Sequence, residues 1–248
     1  MFITEITAAI GKGLACAATV LMLGSCQMDS GEDRARQQQA LALVADCIAT
    51  ACETLNLDRQ SLPDYSVLSD MTHLRAIMIS YTDFDDLSVL APLTGLEEIH
   101  IGETNVTDIS SLANFPNLQV LHIQNLDTDN YSVLRQLGTL DELAIGNGRL
   151  TNIDFVTAMP NLQRLNLIDI GNLPDYPETD LSALEGHAGI TKFTIRGYGT
   201  TDLSPLLRMP NLKDVGMGST LRSSEDDSLI NALEARGVLV GFWSFPVC

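Results

Sequence analysis

The chain has 248 residues, 45% of them hydrophobic and 19% charged, which is enough apolar material for a sizeable core and excludes a disordered chain. Lys and Arg number 14 against 32 Asp and Glu, a formal net charge of -18. A surface that acidic repels phosphate backbones and anionic lipid head groups, so nucleic-acid binding is not expected, and the charge serves either plain solubility or a basic partner.

Residues 1–25 read as an address. Lys12 leads into ten mostly apolar residues from Leu14 to Leu23, about half the length that spans a bilayer as a helix, as in a signal-peptide core. The run closes on Leu23-Gly24-Ser25-Cys26, which resembles the bacterial lipobox. Ordinary signal peptidase prefers small residues at the third and first positions before its cut, and Leu23 breaks that preference while fitting the lipobox; plain secretion is the alternative. The resemblance implies cleavage before Cys26, acyl chains on Cys26, and a mature chain anchored to the envelope and not embedded in it. In the lipoproteins so resembled, an aspartate after the cysteine favours the inner membrane. Gln27 stands there, so the outer membrane is the expected address. Residues 26–35, polar after the cysteine, are expected to be a lipidated tether.

Residues 36–51 carry Leu41, Val44 and Ile48 at helical spacing and are expected to form an N-terminal cap helix over the first strand. From 52 to 220 a period of 22 residues governs the chain: LEEIHIGETNVTDISSLANFPN from Leu96 is followed by LQVLHIQNLDTDNYSVLRQLGT from Leu118. Eight units begin at Cys52, Leu74, Leu96, Leu118, Leu140, Leu162, Ile190 and Leu212, evenly spaced but for six extra residues after Leu162. Position four is Leu55, Ile77, Ile99, Leu121, Leu143, Leu165, Phe193 and Val215, and position six is equally apolar throughout. Apolar residues at four and six with variable ones between them mark a short strand with one buried face. Later in each unit apolar residues fall three apart, as in Ile109, Leu112 and Phe115, the spacing of a 3₁₀ or α turn. Asp86, Asp108, Asn130, Asn152, Asp180 and Asp202 precede these turns and read as caps for freed N–H groups, not as catalytic carboxylates.

The L-x-x-L-x-L pattern followed by D-[LI]-S-x-L resembles the leucine-rich-repeat family, most closely its 22-residue internalin-like class. The resemblance implies a right-handed curved solenoid with a parallel sheet on the concave face and 3₁₀ or α turns on the convex side, closed by helical caps. One departure concerns position nine, where the family places asparagine to bond the turn. This chain has Gln60, Thr82, Thr104, Leu126, Gly148, Ile170, Tyr198 and Thr220.

Within the long unit, Leu173 to Thr179 (LPDYPET) reads as an insertion, either loop drift or a rim contact. Residues 221–248 are expected to be a C-terminal cap, with a helix through Leu229 and Leu233, closure at Gly237 and a last strand at Val238–Val240. Cys47 and Cys52 are candidates for a disulfide across the cap junction, with two reduced core thiols as the alternative. Cys248, at the far end of the stack, is a free thiol or an intermolecular link.

No phosphate-binding loop, dinucleotide fingerprint, HExxH or G-x-S-x-G occurs, so the chain is read as non-catalytic, with no cofactor. His100 and His122 share position five of neighbouring repeats, with Glu98 and Glu142 at position three, and could form a metal site or a pH-sensitive patch. The preferred reading takes them as ordinary binding-face residues without metal. The candidate partner-binding row is Met78, Glu98, His100, His122, Glu142, Arg164, Asn166, Lys192 and Thr194, acidic in its left half and basic in its right. By analogy with the resembled family, the expected function is a protein–protein interaction scaffold acting through the concave face. The alternative is an adhesin or receptor for glycan or metal. A glycan receptor calls for aromatic rings at position five, and no Phe, Tyr or Trp stands there.

Overall fold

A computed structural model describes residues 31–170, 178–197, 202–218 and 224–243. Helix α1 (Gly31–Thr50) leads into strands β1 (Thr54–Asn56), β2 (Ala76–Met78), β3 (Glu98–His100), β4 (Val120–His122), β5 (Glu142–Ile145), β6 (Arg164–Ile170), β7 (Lys192–Gly197) and β8 (Asp214–Gly218), and the chain closes on helix α2 (Ser224–Ala235) and strand β9 (Leu239–Trp243). The nine strands form one sheet in sequence order, every neighbour parallel. Leu55 pairs with Ile77, Ile77 with Ile99 and Ile99 with Leu121, so equivalent positions of successive units stack in columns.

Each unit cannot bury its apolar face alone, and stacking supplies the cover. Positions four and six face inward from the sheet and are buried in every unit. On the other side the 3₁₀ turns bury residues three apart: Leu87, Leu90 and Leu93 in one unit, Ile109, Leu112 and Phe115 in the next. The cap reading of the preceding carboxylates and amides holds, since Asp86, Asp108, Asp180 and Asp202 accept from the N–H of Ser88, Ser110, Ser182 and Ser204 at 2.8–2.9 Å, and Asn130 and Asn152 do so from Ser132 and Asp154. Asp64 serves the first turn in the same way through Ser66.

At position nine, threonine takes over the turn bond. Thr82 and Thr104 are buried and their hydroxyls donate to the Ile79 and Ile101 carbonyls three residues back. In the unit with Gly148 at that position, Asn147 stands one place earlier and its amide donates to the Leu126 and Thr128 carbonyls and to Tyr131 Oη.

The ends differ in detail from what the sequence suggests. Helix α1 starts at Gly31, inside the stretch expected to be tether, and its buried side is Ala40, Val44 and Cys47. Leu41 and Ile48, expected to face the array, are exposed; the i, i+4, i+7 set one residue away fits the first strand instead. A disulfide joins Cys47 and Cys52, with Cα atoms 4.8 Å apart. At the other end Gly237 (φ +83°) closes α2: its N–H reaches the Glu234 carbonyl and that of Val238 reaches Leu233, a Schellman closure. Arg236 then donates to the carbonyls of Leu206, Leu207 and Met209 in the last turn of the array. Strand β9 continues the sheet beyond the eighth unit. Of the insertion, Leu173 to Pro177 lie outside the described residues, while Thr179 is buried and donates to the Leu150 carbonyl. Cys26 and Cys248 also lie outside them. Among the described residues no helix is long and apolar enough to cross a membrane.

Candidate functional site

Alternation along each strand turns positions three and five away from the core, and the register aligns them into two rows. One row runs Glu98, Val120, Glu142, Arg164, Lys192 and Asp214; the other runs Met78, His100, His122, Ala144, Asn166 and Thr194. All nine residues of the candidate row therefore lie on one face. Lys192 is exposed and the other eight are half-buried, because neighbouring side chains on parallel strands cover one another.

His100 and His122 stack with ring centroids 3.9 Å apart and planes 17° from parallel. Glu98 Oε1 stands 2.8 Å from His100 Nε2, yet that nitrogen has no aligned hydrogen bond. Burial, and then the facing His122, pushes the His100 pKa below the usual histidine range, against the pull of Glu98. His100 is therefore the neutral member of the stack at neutral pH. Among the described residues no three His, Cys, Asp or Glu side chains are grouped as a metal site requires.

Glu142 organises the centre of the face. It accepts from Arg164 Nε (2.6 Å) and Asn166 Nδ2 (3.3 Å) and lies 3.1 Å from His122 Nε2. Burial works to raise its carboxyl, but the bonds from Arg164 and His122 outweigh it and hold the group below its ordinary value. Arg164 also reaches Asp141 at 2.7 Å, and Lys192 faces Asp214 at 3.8 Å. The division into an acidic left and a basic right half does not hold, because Asp141 and Asp214 interleave with the cations. Arg164, Asn166, Lys192, Thr194 and Arg196 line a hollow of about 470 Å³ on this face.

A second row, at position eight, is not apparent from the repeat pattern. Arg59, Tyr81, Glu103, Asn125 and Asp169 all adopt positive φ between 54° and 63°, which turns the chain at the strand ends. Their N–H groups still continue the ladder: Arg59, Tyr81, Glu103 and Asn125 donate to the position-seven carbonyls of the next unit. Along this rim Arg59 lies over the Tyr81 ring at 4.7 Å, and Asn125 Nδ2 donates to Glu103 Oε1 and Asp169 Oδ2, which in turn meets Arg196. The signal in the sequence is faint: a column free of β-branched residues, as a left-handed conformation demands.

Acid is expected to loosen this structure in two stages. His100, with its folded pKa depressed, takes a proton more readily in the unfolded chain, so its contribution declines as pH falls below the ordinary histidine value of 6.5. The depressed carboxyls of Asp64, Asp108, Asp180 and Glu142 contribute stability above their unfolded values and lose it as pH falls through the folded ones, below about pH 4. Thermal midpoints measured against pH should therefore decline in both windows, and His100→Gln should remove the upper decline alone.

No protein-family model matches the chain, and no curated protein sequence does. Solved structures do match. An internalin from Listeria monocytogenes overlays with a TM-score of 0.61 at 17% identity, over 87% of this chain and 70% of that one. Internalin C2 from the same organism gives 0.57 at 17% identity, over 86% and 94%, and a leucine-rich-repeat protein of Leptospira interrogans gives 0.57 at 16%, over 73% and 46%. The fold is the leucine-rich-repeat solenoid.

Proposed function

We propose that the chain is an envelope lipoprotein, anchored by acyl groups on Cys26 in the outer membrane, and that it is a non-catalytic scaffold binding a protein partner through its concave face. The observation that carries the binding reading is the separation of two jobs along each strand. Positions four and six build the core, while three and five, apart from the buried Ala76 and Ala144, face outward and form a largely polar surface with a hollow over β6 and β7. Residues there are free to be set by a partner. Interleaved acids and bases suit a polar protein surface of mixed charge.

The experiment is photo-crosslinking in cells from Asn166 and Thr194, with the captured protein identified. A combined Asn166→Arg, Lys192→Glu, Thr194→Arg variant fills and recharges the hollow. It should abolish capture and move the thermal midpoint by no more than about 3 °C, as expected of surface changes. Capture undiminished in that variant would remove the concave face from the proposal.

The anchor has its own test. Cys26→Ser should shift the protein from the membrane pellet to the soluble fraction almost completely, because acyl chains are the stable membrane attachment in this reading. A variant that still pellets and resists salt extraction would refute the lipoprotein assignment.

A further inference from the structure

Helix α1 is more apolar than the array can use. From Ala40 to Ala49 it reads ALALVADCIA, with Asp46 its one charged residue, yet only Ala40, Val44 and Cys47 are buried. A helix apolar over most of its circumference is normally covered over most of it. Leu41, Ala45 and Ile48 repeat the i, i+4, i+7 spacing on an adjoining face, with Ala42 and Ala49 beside them, and there Leu41 is 45% and Ile48 53% exposed. From Leu41 to Ile48 the stripe itself carries no charge, with Asp46 at its border between Ala42 and Ala49 and Arg34 seven residues before Leu41.

The chain outside the described residues points to what lies against it. Cys26 precedes Gly31 by five residues, which even fully extended span only about 17 Å. Leu41 and Ile48 stand roughly 15 and 25 Å further along the helix axis. We propose that this face of α1 lies in the head-group interface of the bilayer, so that the helix as well as the acyl chains attaches the protein and fixes how the array stands on the membrane. The inference rests on the acyl anchor proposed above. A short uncharged apolar stripe held beside a lipid anchor is what an interfacial helix needs, because the anchor has already met the entropic cost of reaching the membrane. The net charge of -18 selects zwitterionic over anionic head groups. A second copy fits less well: five residues on one helix fall far short of the roughly 20–30 a side of a stable protein interface.

The test uses the full acylated protein in phosphatidylcholine vesicles with brominated acyl chains, in a Trp243→Phe background that leaves one introduced tryptophan. Emission from Ile48→Trp and from Leu41→Trp should drop at least about twofold with the brominated lipid, as for a side chain 5–10 Å deep in the interface, while Gln39→Trp is unchanged. Equal emission from all three, in protein that mass spectrometry shows to be acylated at Cys26, overturns the inference and leaves the anchor standing. Shielding from aqueous iodide without quenching by bromine would mean a protein covers the face, and also overturns it. Absence of acylation at Cys26 removes both this inference and the anchor beneath it.

Discussion

Substituting aspartate for Ile123 is expected to cost the array about 5 kcal/mol or more, because the change combines loss of a buried aliphatic side chain with burial of an unpaired carboxyl. Ile123 is fully buried at position six of β4's unit, in the column between Ile101 and Ile145, both also fully buried. An aspartate there either stays ionised at a prohibitive desolvation cost or takes up a proton, and the protonated acid still lacks a partner. In a stack where each unit leans on its neighbours, a fault in the middle weakens both halves. The thermal midpoint should fall by about 10–20 °C, or the transition should vanish. Glu98→Ala, on the outward face, should move it by only about 1–2 °C, since a half-exposed carboxylate beside a neutral histidine contributes little. Similar midpoints for the two variants would refute the register that assigns position six to the core and position three to the surface.

Much of this fold is legible in the sequence because one physical demand recurs. Every strand has the same core behind it, so apolar residues return at positions four and six with no exception that matters. The caps are legible for the same reason: a short turn frees an N–H group, and Asp or Asn two residues earlier is the cheapest partner. At the first unit the repetition ends, and with it the constraint. Helix α1 offers two apolar sets at helical spacing that share Val44, Ala40-Val44-Cys47 (i, i+4, i+7) and Leu41-Val44-Ile48 (i, i+3, i+7), and side-chain size favours the wrong one. The array accepts the smaller set because Ala40 and Cys47 let the helix approach β1 closely, an argument available only once the helix has been docked.

The candidate site divides along the same line. Which residues face outward follows from alternation, and all nine lie on one face. How they interact does not follow, since it depends on neighbours in other units. Glu142 gathers His122, Arg164 and Asn166 from two adjoining strands, and Asp141 and Asp214 neutralise a half of the face that reads as basic when only the nine candidate residues are considered. The position-eight rim is hidden for another reason. Its common property is a backbone angle, and residues as different as Arg59, Tyr81 and Asp169 adopt it where the strand must turn.

That turn is made differently in one unit, and Gly146→Ala should expose the difference at a cost of about 3 kcal/mol or more. Gly146 has φ +148°, and a Cβ placed on it would meet the Ile168 carbonyl oxygen at 1.9 Å, a clash with backbone that no rotamer relieves. The same glycine frees Asn147 from the left-handed conformation of its column, so that its amide can turn inward to Leu126, Thr128 and Tyr131. An alanine would therefore disturb the β5–β6 ladder and the half-buried Asn147 amide together. Gly102 holds the equivalent position two units earlier, but a Cβ there meets only the end of the Gln124 side chain, which can move aside, and at Gly241 it meets nothing. The expected order of thermal midpoints is Gly241→Ala near the parent, Gly102→Ala slightly below, and Gly146→Ala lower by about 6–12 °C. If Gly102→Ala and Gly146→Ala melted together, side-chain crowding would explain both, and the separate backbone role assigned to Gly146 would be wrong.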